Sequence, residues 1–427
     1  MKRMHSDKRR LAMGTLCLCL AVSAPAVRAD AEAAPTGRLD VAAVTTVYRK
    51  NSHAELIVGR LLDTHTLDGK GRVSPLRLRT LYTDQVPEND TSRSQAKVHG
   101  FALVDKAADA IAEAQGKPRV RGVLLVAEHG DYPRSEAGSL LYPKRRLFEQ
   151  VLAGFDRAGK VAPVYIDKHI ADNWQDIAWI YGAARERDIP LMAGSSVPLV
   201  WREPAVDVRR DAKIQQIVAV SYHTLDAYGF HALEVVQSLA ERRVGGETGI
   251  AQVRCLVGDA VWQAGRDGVY DAKLLDAALN RMTWKRFAER PLEEAVKEPS
   301  LFEIHYQDGM KAFVLTLPGV VREWAAAWRY AGGESEATLF RLQEDRPYLH
   351  FSLLLTGIER MMVTGKPAWP VERTVYTSGM LDALLQSRLQ KGIWIQTPHL
   401  AQGYASDWDW AEFMASMPEK NALEVRP

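Results

Sequence analysis

The chain has 427 residues, enough for two domains with separate cores, and its 47% hydrophobic and 25% charged residues are ordinary for a globular protein. With 55 Lys/Arg against 53 Asp/Glu the formal net charge is only +2, which excludes the basic footprint of a nucleic-acid partner. Of three cysteines, Cys17 and Cys19 fall in the N-terminal segment described next; Cys255 alone then remains, which excludes an intrachain disulfide and a cysteine-based zinc site.

Residues 1–29 read as an export signal. Lys2, Arg3, Lys8, Arg9 and Arg10 form a basic head, an apolar run covers 11–22, and Val27-Arg28-Ala29 offers small residues for cleavage before Asp30. Arg9-Arg10 is similar to a twin-arginine signal, with the general export route as the alternative. The apolar run is too short for an uncleaved anchor, and no later segment is long and apolar enough to cross a membrane. The segment carries six Lys/Arg and one Asp, so without it 49 basic and 52 acidic residues remain, a net of −3. The expected location is the periplasm or the cell exterior.

From 39 to about 196, short apolar strands alternate with amphipathic helices, the pattern of a parallel sheet covered on both faces. Strands are expected at 39–44, 76–82, 120–127, 162–166 and 189–193, and helices at 53–62, 91–99, 106–114, 144–158 and 174–187. From about 197 the pattern changes. Strands at 217–222, 250–257, 301–306, 311–317, 323–330 and 337–343 accompany helices at 231–242, 348–363 and 374–390, with Asp308-Gly309 as a hairpin turn. The fold class is α/β: a Rossmann-like domain (30–196), then an α+β domain on a mainly antiparallel open sheet (197–396), then a tail (397–427) carrying Trp408 and Trp410.

A strand, turn and helix opening a domain is where a dinucleotide-binding protein places its G-x-G-x-x-G loop. The order of elements and several local motifs resemble the Gfo/Idh/MocA family (glucose-fructose oxidoreductase, inositol dehydrogenase, MocA) over nearly all of the chain beyond the signal. His53 fits the histidine that follows the family's third glycine, which puts Thr45, Val47 and Lys50 in the three glycine slots. Gln95-Ala96-Lys97-Val98-His99-Gly100-Phe101 is similar to the helix end before the third strand, and Asp84 falls where an acidic residue meets the adenosine ribose. Asp167-Lys168-His169 occupies the Glu-Lys-Pro position, and Gly229-Phe230-His231 resembles the G-x-H helix start, with Asp226 and Ala227 just before it. The resemblance implies an NAD(P)-linked sugar oxidoreductase that pairs through its C-terminal sheet. Side chains in all three glycine slots oppose ordinary dinucleotide binding, because a Cβ collides with a pyrophosphate lying on bare main chain.

In such a fold the ends of the strands near 126 and 166 and the helix start at His231 meet in one cleft. The expected catalytic residues are Lys168, His231 and Asp226, with Lys168 as general base. Glu128, His129, Asp167, His169 and His231 could hold zinc, manganese or iron; a hydrogen-bonding sugar site without metal is the alternative. Asp131 and Tyr132 are the expected substrate contacts, and Thr45, Val47, Lys50 and Asp84 the degenerate cofactor loop. The expected function is metal-assisted, non-redox chemistry on a sugar or glycoside: elimination, epimerisation or hydrolysis. An oxidoreductase with tightly held NAD(P) and a non-catalytic carbohydrate-binding protein are the alternatives, and a homo-oligomer is expected.

Overall fold

The computed structural model describes residues 37–287 and 290–417, so the expected export signal lies outside it. The described residues form one unit. Its first part runs β1 (Leu39–Thr45), α1 (His53–Leu62), β2 (Leu76–Thr83), α2 (Ser92–His99), β3 (Ala102–Val104), α3 (Ala107–Ile111), β4 (Val123–Val126), α4 (Lys144–Ala158), β5 (Val164–Asp167), α5 (Trp174–Glu186) and β6 (Leu191–Gly194). The six strands pair in parallel in the order β3-β2-β1-β4-β5-β6. β4 and β5 are short runs buried at every residue, as strands between two helical layers must be. The strand order reverses between β1 and β4. That switch point opens a crevice at the C-terminal strand ends, the ligand edge of such sheets.

The second sheet has eight strands: β7 (Trp201–Glu203), β8 (Ile214–Ser221), β9 (Ile250–Val257), β10 (Ser300–Tyr306), β11 (Lys311–Thr316), β12 (Trp324–Tyr330), β13 (Ser335–Arg341) and β14 (Ile395–Gln396). Their order is β14-β9-β10-β11-β8-β12-β13-β7, and all pairs are antiparallel except β11 with β8. Asp308-Gly309 makes the expected β10–β11 turn, with Gly309 at φ +87°. Helix α6 (Phe230–Ala240) packs against β8, β11 and β12.

Two helices not anticipated from the sequence, α7 (Asp259–Arg266) and α8 (Ala272–Arg281), follow β9, and a short α9 (Leu292–Ala295) precedes β10. Asp271 caps α8 and binds Gln216 and Arg329, which lie opposite each other on β8 and β12. On that side of the strands Ala325, Ala327 and Ala337 are small, so α8 sits close and covers much of a face expected to be open.

α10 (His350–Thr364) leaves the second sheet to pack on α1, and α11 (Val371–Leu389) lies against β9, α6, α5 and β6. The tail docks through α12 (Trp410–Ala415): the Trp410 indole N–H donates to the Val200 carbonyl at 2.8 Å, and the Arg373 guanidinium lies 4.4 Å from the centre of the Trp408 ring.

Candidate active site at the sheet switch point

The crevice holds a cavity of about 380 Å³ between the ends of β4, β5 and β6, the start of α1, and the loops around Tyr228 and Glu344. Chain geometry delivers its side chains. β4 ends at Val126, and His129 follows in the left-handed region at φ +71°, which turns the chain back toward α1. β5 ends at Asp167, placing Lys168 directly over the sheet edge; the Lys168–His169 peptide bond is cis. His53 is the first residue of α1.

An ion pair and a histidine–carboxylate hydrogen bond face each other here. Lys168 Nζ donates to Glu128 Oε1 at 2.8 Å, both side chains being buried. His53 Nδ1 lies 2.7 Å from Asp167 Oδ2, with Asp167 buried and His53 partly exposed. A carboxylate on Nδ1 selects the tautomer protonated there and leaves Nε2 as acceptor. Behind the site, buried Lys144 donates to the carbonyls of Asp167 (2.9 Å) and His169.

The charges are set by burial and neighbours. Burial would lower the Lys168 ammonium, but Glu128 and Asp167 outweigh it and hold Lys168 protonated above its usual range. Burial likewise would raise Glu128, yet Lys168, then His53 and Lys144, keep it below the carboxylate range. Desolvation, with no carboxylate strong enough to offset it, lowers His129 to about 4 and His231 well below its usual value, so both are neutral imidazoles. Desolvation lowers Lys144 to about 8. The buried Nδ1 atoms of His129 and His231 and Oε2 of Glu128 have no hydrogen-bond partner among the described residues.

Of the residues singled out from sequence, Glu128, His129, Asp167, Lys168 and His231 line the cavity. His169 does not: its Nε2 is 2.7 Å from the Asp226 carbonyl and its ring packs edge-on against Phe230, 4.6 Å between centres. Asp226 borders a different cavity and pairs with Arg134 at 3.1 Å. The expected metal set of Glu128, His129, Asp167, His169 and His231 is not assembled. Among the described residues no three His, Cys, Asp or Glu form a group that could hold a metal ion; Glu128 Oε1 meets Lys168, Asp167 meets His53 and His169 meets a carbonyl.

Sequence reasoning used His53 only to set the register of the glycine slots and missed its pairing with Asp167, 114 positions away. It also missed the far wall. There Trp324 stacks on Tyr228 (5.5 Å between ring centres, 14° between planes), and Glu344, His350 and Phe351 complete the lining. No local motif announces these residues; only the fold brings them together.

The neighbouring edge is formed by the β1–α1 loop. Thr45, Thr46, Val47 and Tyr48 are buried, while Lys50 is exposed. Their carbonyls accept the backbone N–H of Asp84 (2.9 Å, from Thr45), Gln85 (2.8 Å, from Thr46) and Thr91 (2.9 Å, from Tyr48), and the Thr46 hydroxyl donates to the Glu128 carbonyl at 3.0 Å. The start of α1 is closed by a capping box: Ser52 accepts from the Glu55 N–H at 3.2 Å and Glu55 accepts from the Asn51 N–H at 3.0 Å. Asp84 receives Arg146 on both oxygens and the Tyr82 and Tyr132 hydroxyls, each at 2.8 Å. Gln85 and the Asp131 main chain exchange two further bonds of 2.8 Å. The Asp131 main chain and the Tyr132 hydroxyl, in residues expected to meet substrate, take part in this latch. Gly130, at φ +121°, is required in it, since a Cβ there would strike the Tyr132 ring and come 3.0 Å from Gln85 Oε1.

No protein-family model and no curated protein matches the chain. Solved structures do. GenD2 from gentamicin A biosynthesis, in complex with NAD, is 15% identical, with 84% of this chain and 96% of that one covered at a TM-score of 0.52. A myo-inositol dehydrogenase from Corynebacterium glutamicum is 10% identical (84% and 99% covered, TM-score 0.51). A probable dehydrogenase from Thermotoga maritima is 12% identical (85% and 100% covered, TM-score 0.51). Identities this low speak for the fold alone. The chain therefore has the fold of the Gfo/Idh/MocA-type dehydrogenases, as its motifs implied.

Proposed function

We propose that the protein is an enzyme that performs acid–base chemistry on a sugar-like substrate in the 380 Å³ cavity, with no dinucleotide in the usual pose. The observation that carries the chemistry is the His53–Asp167 pair at 2.7 Å, set in the same cavity as the Lys168–Glu128 pair. His53 Nε2 is the base that takes a proton from a carbon beside a carbonyl or carboxylate. The electron pair moves onto that oxygen, where the Lys168 ammonium stabilises it. Lys168 itself is too firmly protonated to be the base expected from sequence. Neutral His129 and His231 line the cavity, and Trp324, Tyr228 and Phe351 supply apolar surface. Elimination and epimerisation both begin with this proton abstraction. Hydrolysis is not favoured by it, and the cavity assigns no metal.

The residues at the β1–α1 loop do not fit a dinucleotide. A pyrophosphate needs bare main chain, open N–H groups at the helix start and a free acidic residue for the ribose. Here buried Val47, the Ser52–Glu55 box and the saturated Asp84 occupy those three places. A second reading, an oxidoreductase with tightly held NAD(P), is favoured by the fold, since GenD2 of that fold is solved with NAD.

Uronic acids and keto-sugars incubated with the protein in D2O test the base. The expected result is exchange of the C–H beside the carboxyl or carbonyl, slowed at least about 100-fold in His53→Ala. Exchange at full rate in that variant would remove His53 from the mechanism.

A further inference from the structure

A second cavity, of about 320 Å³, adjoins the first and shares Trp324, Leu342 and Glu344 with it as common walls. Its own lining includes Thr283, Trp284, Arg322 and Glu323. Trp284 is half-buried and its backbone is pinned: Glu323 accepts the Thr283 N–H at 2.7 Å and the Trp284 N–H at 3.0 Å. The Arg322 guanidinium lies 4.5 Å from the centre of the Trp284 ring. Glu344 stands exposed where the two cavities meet, oriented by the Tyr222 hydroxyl, which donates to its Oε1 at 2.7 Å.

We infer that the second cavity takes the second ring of a glycoside whose first ring occupies the main cavity. The substrate class is then a disaccharide or a longer glycoside, not a lone monosaccharide. This rests on reading the main cavity as a sugar site. An indole edge or face offers apolar surface to ring C–H groups, while a guanidinium and a carboxylate supply donors and acceptors for hydroxyls of either sense. The fixed backbone of Thr283 and Trp284 means little ordering cost on binding. The Glu344 carboxylate at the junction, beside Trp324 and Leu342, suits a polar linkage passing from one chamber to the other.

Calorimetric titration of the intact protein tests this. The probes are glucose, galactose and N-acetylglucosamine, each beside its β-1,4-linked disaccharide. The expected result is at least one pair in which the disaccharide binds about tenfold more tightly, a difference of about 1.4 kcal/mol. Trp284→Ala should abolish that gain and leave the monosaccharide affinity unchanged. If Trp284→Ala does not fold, Arg322→Ala, which alters an exposed side chain, should reduce the gain. Monosaccharide binding with no gain in any pair, or a gain that survives these changes, overturns the second-ring inference and leaves the sugar reading standing. Failure of all six sugars to bind overturns both.

Discussion

Lys168→Met will destabilise the protein by about 3–5 kcal/mol, the usual cost of removing one partner from a buried ion pair. Lys168 and Glu128 are 2% and 8% exposed at their side chains, and Lys168 is the one described group bonded to Glu128 Oε1. Without it a carboxylate remains in a place where burial opposes its charge. The paired change Lys168→Met with Glu128→Gln removes both charges at nearly constant volume and should restore most of the loss. Because the deficit comes from an ionised Glu128, it should also shrink as the pH is lowered and that carboxyl takes up a proton. Urea denaturation of the three proteins provides the measurement. A single-variant loss below about 1 kcal/mol would show that the pair is not buried as described.

Acid will unfold the protein early, from about pH 6.5 downward. Burial lowers His129 and His169 to about 4 and His350 to about 3, and it lowers His231 well below its usual value. Each is neutral in the folded chain and takes a proton near pH 6.5 once unfolded. A folded pKa below the unfolded one means that the unfolded state binds more protons, so stability is full above the unfolded value and is lost as pH falls toward the folded value. At pH 5 these four histidines should take up nearly four protons on unfolding, a slope of about 5 kcal/mol per pH unit. Glu128 and Asp84, both held below the carboxylate range, add to the loss lower down. Melting temperatures measured from pH 7.5 to 4.5 check this, and His350→Asn should flatten the slope by close to one proton. A flat profile between pH 6.5 and 5 would mean that these rings are open to water.

Much of the fold was legible because strands between helical layers announce themselves as short apolar runs. Val123–Val126 and Val164–Asp167 stand out in this way, and the Asp308-Gly309 turn fixed one hairpin. α7 and α8 were missed because Asp259–Arg266 and Ala272–Arg281 are short and polar outside one narrow stripe. The expected helix 106–114 shrinks to Ala107–Ile111, since Ala112 turns extended to pair with Pro118. At the site, strand ends placed Glu128, His129, Asp167 and Lys168 correctly in the crevice. What spacing could not give was the partner of each group. His53 binding Asp167, Asp226 leaving for Arg134, and Tyr132 turning to Asp84 are tertiary choices decided by side-chain reach across the sheet edge.

The proposed loss of ordinary dinucleotide binding is open to direct test. Purified protein, denatured and filtered, should release no nucleotide approaching one per chain, and calorimetric titration of the native protein with NAD and NADP should show no binding up to millimolar concentration. Stoichiometric release of NAD(P), or a dinucleotide seated over Val47 with its ribose on Asp84 in place of Arg146, would contradict the account and install the oxidoreductase reading in its stead.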